Sequence, residues 1–134
     1  MSEETNTGGS SQLAELRAQF QGLQETFARI LPKVDSTLVF DFLNLEKAAK
    51  GEPLPYTLDV YTKEGVNTDQ AKAYIFEKTG MMPAISENGT HYTTNQILTL
   101  EMLKEMSDSN DVVEITGNYT GGIAWHSLRH AELH

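Results

Sequence analysis

Large apolar residues recur at Leu13, Leu16, Phe20, Leu23, Phe27 and Ile30, alternating steps of three and four. That rhythm is the a/d stripe of a heptad and predicts an amphipathic helix over 11–31. Ser10 or Ser11 can cap its start, and Pro32 stops it, because the residue before a proline avoids the helical region. Gly22 costs this helix about 1 kcal/mol relative to alanine. A second helix follows from Asp35 or Ser36 as N-cap, with Leu38, Val39, Phe42, Leu43, Leu45 and Ala49 on a wide apolar arc and Gly51 as its end. The link Leu31 to Asp35 is so short that 11–51 reads as an antiparallel helical hairpin. Residues 1–10, closing in Gly8-Gly9-Ser10, have nothing to bury and read as a disordered tail.

Two prolines in Gly51-Glu-Pro-Leu-Pro55 break the chain, and then the period changes to two. Leu58 and Val60 alternate with Thr57, Asp59 and Tyr61 as in a half-buried strand. Asn67 with Gln70 offers a capping box for a helix over 69–79 that Gly80 ends. Met82 to Ser86 and Thr90 to Thr94 flank Asn88-Gly89, the pair suited to a type I′ hairpin turn. Ile97, Leu100, Leu103 and Met106 predict a helix over 97–106, and Val112 to Thr116 a closing strand with Val113 and Ile115 facing inward. The order β-α-β-β-α-β over 56–119 predicts an α+β fold with a two-layer, ferredoxin-like segment, two helices on one face of a four-stranded antiparallel sheet. It is expected to pack with the hairpin as one domain. Pro83 suits the edge position of the second strand, whereas the third strand, expected at the centre, offers only Tyr92 as a large inward side chain.

The residues Leu58-Asp-Val-Tyr-Thr-Lys-Glu-Gly65, then Ala71-Lys72, then Pro83-Ala-Ile before Asn88-Gly89 are similar to the strand, helix and proline-led hairpin of glutaredoxins. That resemblance implies a thioredoxin/glutaredoxin-like alternative without cysteines. The redox cysteines would fall between Val66 and Asp69, where none stand, so thiol chemistry is absent.

Nineteen acids against ten bases give a net charge of −9, which repels phosphate backbones and anionic headgroups and argues against nucleic acid and membrane partners. No apolar run approaches the ~20 residues of a membrane span, and the polar acidic start is unlike a signal peptide, so the expected compartment is the cytoplasm. Without cysteine there is no disulfide, no thiol nucleophile and no cysteine-based zinc or iron–sulfur site.

Residues 120–134 form a histidine-containing segment, expected to be flexible. On a helix His126, His130 and His134 would share one face, and imidazoles spaced by four can chelate zinc, nickel or copper, so weak divalent-metal binding is one expectation. Asp108, Asn110, Asp111 and Glu114 carry calcium-type oxygens without the spacing of an EF-hand loop, which leaves a solvated turn as the simpler reading. His91, beside the hydroxyls of Thr93 and Thr94, reads as a structural histidine. No nucleophile and base are spaced for catalysis, so no enzyme activity and no cofactor are expected. The sequence points to a protein-interaction module that self-associates as a homodimer through Leu13, Leu16, Phe20, Leu23 and Phe27. A metal-binding protein and a small-ligand regulatory domain are the alternatives.

Overall fold

The computed structural model describes residues 2–65, 68–86 and 89–121. Among these residues it is an α+β fold of four helices, α1 (Ser2–Ile30), α2 (Ser36–Ala49), α3 (Thr68–Thr79) and α4 (Leu100–Asp108), and four strands, β1 (Pro55–Thr62), β2 (Ala84–Ser86), β3 (His91–Ile97) and β4 (Val112–Tyr119). The strands form one sheet in the order β2-β3-β1-β4, and every pairing between them is antiparallel. Strands β1 and β2, joined through α3, are therefore separated by β3. Among the described residues no helix is long and apolar enough to cross a membrane.

The period-two pattern of β1 sets the core. Tyr56, Leu58, Val60 and Thr62 are buried, while Thr57, Asp59 and Tyr61 turn to the other face. Opposite them Tyr92, Thr94 and Gln96 are the buried positions of β3. The apolar deficit of this central strand is made up by polar pairing: the Thr94 hydroxyl donates to Gln96 Oε1 at 2.7 Å, and Gln96 Nε2 lies 3.7 Å from Met102 Sδ on α4. Buried polar groups are tolerated where they are satisfied in this way. Leu38, Val39 and Phe42 of α2, Ile75 of α3, and Leu103 and Met106 of α4 complete one continuous hydrophobic cluster with the inward face. The helical layer thus includes α2 as well as α3 and α4.

Both edges of the sheet are blunted, as an unpaired row of backbone groups invites aggregation. At one edge β2 has three residues and follows Pro83. At the other, the link between α1 and α2 lies along β4: Asp35 N–H donates to Ile115 C=O at 2.9 Å, and Ile115 N–H to Lys33 C=O at 2.8 Å.

Four expectations change. Helix α1 begins at Ser2 and takes in the segment set apart as a tail, because turns added to an existing helix carry no new nucleation cost. Strand β3 continues to Ile97, and Leu98 and Thr99 intervene before α4. In β4 it is Val112 and Ile115 that are buried, at 4% and 0% exposure, whereas Val113 is 54% exposed. The cause is a bulge: Tyr61 pairs with Glu114 but Thr62 with Val112, so Val113 is the extra residue and the inward alternation slips by one. The left-handed end of α2 begins at Lys50, with φ 51°, one residue before Gly51. Gly89 has the positive φ (83°) expected of its turn; Asn88, and the proposed cap Asn67, lie outside the described residues.

Candidate interaction surface

Helix α1 has 29 residues, about 43 Å of helix, against 14 residues and about 21 Å for α2. Its end is anchored in the body of the protein. Phe27 is 8% exposed and Leu31 just beyond the helix 4%, both within the core cluster. Leu31 N–H donates to Phe27 C=O at 2.7 Å, Lys104 Nζ donates to the Ile30 carbonyl at 3.2 Å, and Lys33 N–H to Ser107 Oγ at 3.2 Å. Upstream of this anchor every residue from Ser10 to Glu25 is exposed. Leu13, Leu16, Phe20 and Leu23 are 52, 64, 51 and 37% exposed, so the stripe that would normally face a core is left largely open to solvent.

Of the five residues expected to meet a partner, four thus lie together on one open helix face. Phe27 is the correction: it belongs to the chain's own core, because the stripe meets α2 where the connection is shortest. One residue was missed. Phe40 of α2 is exposed and packs edge-on against Phe20, with ring centroids 6.5 Å apart. Phe20, Leu23, Phe27 and Phe40 line a groove at the root of α1. Its signal was present in the run Leu38-Val-Phe-Asp-Phe-Leu43, whose apolar arc is wider than one buried face can absorb.

The electrostatics of the face differ from those of the whole molecule. With Leu13 and Phe20 at a, and Leu16 and Leu23 at d, the flanking e and g positions are Gln12, Arg17, Gln19, Gln24 and Thr26, without an acid among them. The acids Glu15 and Glu25 accept from Gln19 and Gln21 along the helix instead, at 3.3 and 3.4 Å.

The outward face of the sheet is polar and internally paired. Asp59 Oδ1 accepts from the Thr93 hydroxyl at 2.9 Å and lies 3.0 Å from His91 Nε2. The His91 ring stacks on Tyr61 at 4.5 Å between centroids, 6° from parallel. His91 is held by a carboxylate and a ring, in keeping with a structural role. His126, His130 and His134 lie outside the described residues. Among the described residues no group of three or more acids and histidines is placed to hold a metal ion, and Asp108 instead accepts from Lys104 Nζ at 3.0 Å. No protein-family model, curated protein or solved structure matches the chain.

Proposed function

We propose that this chain is a protein-interaction module that self-associates through α1, the stripe Leu13, Leu16, Phe20 and Leu23 together with Phe40 seating on the same surface of a second copy. The observation that carries the reading is the open stripe itself: four large apolar side chains in heptad register, each more than a third exposed, with Phe40 edge-on to Phe20 at its root. Heptad spacing is the pattern by which one helix seats knobs into holes on another. A second copy is favoured by charge. Two chains of net charge −9 repel at most orientations, whereas the flanks of this stripe are neutral or basic and bring no acids face to face. A two-fold axis makes one such surface sufficient.

The sheet order β2-β3-β1-β4 supports a ferredoxin-like assignment for residues 56–119 over the glutaredoxin-like alternative, since it interleaves two β-α-β units, with β3 between β1 and β2.

Light scattering over a range of concentrations tests the association. Twice the chain mass is expected for the wild type and a folded monomer for Leu16→Asp, because a charge at the seam loses its burial without touching the core. A wild-type protein that stays monomeric at high micromolar concentration excludes the reading.

A further inference from the structure

A second concavity, away from α1, lies where α3 and α4 meet the inward face of the sheet. It holds about 350 Å³ and is lined by Thr62, Gln70, Tyr74, Tyr92, Glu105 and Asp111, among others, a size within the range of small-molecule sites. Tyr92 on its floor is 7% exposed, and its hydroxyl has no hydrogen-bond partner among the described residues. It is not sealed either, since the Tyr56 hydroxyl alone is both unpaired and shut away from solvent among the described side chains. Tyr92 lines this cleft, so its hydroxyl is left as a donor and acceptor for something that enters.

The walls choose the sign of the entrant. Glu105 Oε2 accepts from the Tyr74 hydroxyl at 3.0 Å. Asp111 brings a second carboxylate, and among the described residues no basic one lines the cleft. An ammonium already sits at its rim: Lys78 Nζ is 3.7 Å from Glu105 Oε1 and 5.8 Å from the centroid of the Tyr74 ring. That is the geometry of a cation held by a carboxylate and a π face. The tyrosines register the same field. Burial first, then Glu105, pushes Tyr74 up to about 12, and burial, then Tyr74 and Asp111, pushes Tyr92 up to about 12.

We propose that this cleft binds a small organic ammonium, a primary amine or an N-methylated one, with its nitrogen between Glu105 and the Tyr74 ring and its body over Tyr92. The site works as a cation receptor in which Lys78 is the chain's own competitor at the rim.

Benzylamine is a suitable probe and benzoate its isosteric control, followed by ¹⁵N–¹H correlation spectra of the full chain at physiological ionic strength, where loose attraction to an acidic surface is screened. Benzylamine is expected to give saturable shifts clustered at Thr62, Tyr74, Tyr92 and Asp111, and benzoate none. Glu105→Gln, with a spectrum as dispersed as the wild type, should weaken binding about tenfold, as loss of a charge-assisted contact does. Lys78→Met should tighten it, and Tyr92→Phe should bind benzylamine with altered shifts and unchanged fold. The proposal is overturned by shifts that do not saturate, that scatter over other acidic surfaces, that benzoate reproduces, or that survive Glu105→Gln at full affinity. Should Glu105→Gln fail to fold, Lys78→Met decides alone: unchanged or weaker binding rejects the site.

Discussion

The Tyr56 ring is packed between Phe42 and Tyr119, with centroids 5.8 and 5.7 Å away, yet its hydroxyl is buried without a hydrogen-bond partner among the described residues. An unsatisfied buried hydroxyl costs about 1–3 kcal/mol. Tyr56→Phe is therefore expected to leave stability unchanged or raise it by about 1 kcal/mol, read from urea denaturation. The same burial, with Asp41 and Tyr119 adding to it, raises the Tyr56 pKa from 10.0 to about 12. The unfolded chain then loses this proton near pH 10 while the folded chain keeps it, so the contribution of Tyr56 to stability is constant below pH 10 and is lost as pH rises toward about 12. Tyr92 has the same sign and the same window. Tyr56→Phe should accordingly flatten part of the alkaline loss of stability, and a denaturation series between pH 9 and 12 measures it. Gly117 shows the opposite constraint, since a Cβ there would stand 2.6 Å from Leu58 Cδ2 and 2.7 Å from the Thr57 carbonyl oxygen. Backbone cannot yield as a flexible side chain does, so Gly117→Ala should destabilise by about 2 kcal/mol in the same assay. Neither residue advertised itself in the sequence, because close approach of two strands is a property of pairing and not of either strand alone.

At the scale of elements, periodicity was legible and the joints were not. Leu58 and Val60 place β1 on the correct face because alternation in one strand needs no knowledge of its neighbours. The inward face of β4 was misread because a bulge depends on how β1 pairs with it, and Val112-Val113 are chemically equivalent candidates. The start of α4 was misread for a related reason. Ile97 fits the 3.6-residue stripe with Leu100 and Leu103, but the strand keeps Ile97 and Thr99 caps the helix, its hydroxyl accepting from Met102 N–H at 3.2 Å. That cap brings Leu103 and Met106 onto the sheet. Thr99→Ala is expected to cost about 1 kcal/mol of global stability, whereas an alanine at Thr57, half-buried on the outward face of β1, should cost less, a comparison that thermal denaturation settles. On α1 the stripe was readable residue by residue, but which of its members the chain buries was decided by the packing of its end on the core, which buries Phe27 and leaves Phe20 with only an edge-on contact to Phe40 of α2.

For the whole molecule, the consequence is a body that does not depend on most of its longest helix. Among the described residues the core cluster takes Phe27 and Leu31 from the α1 end and nothing upstream of them. Removing residues 1–24 therefore deletes Leu13, Leu16, Phe20 and Leu23 without opening a cavity, while Lys104 still caps Ile30 and the 33–35 link still covers β4. Such a chain should fold, with the near-ultraviolet and amide spectra of the intact core. If α1 joins two copies, the intact protein gains stability by mass action, since whatever binds only the folded state stabilises it in proportion to the logarithm of its concentration. The melting temperature of the full chain should then climb with protein concentration, and that of the shortened chain should not. Leu16→Asp should behave like the shortened chain, because one buried charge at the seam opposes the association as the deletion does. A full-length melting temperature independent of concentration over a hundredfold range, equal to that of the shortened chain, would mean that α1 meets nothing in solution and that its apolar face awaits a different partner.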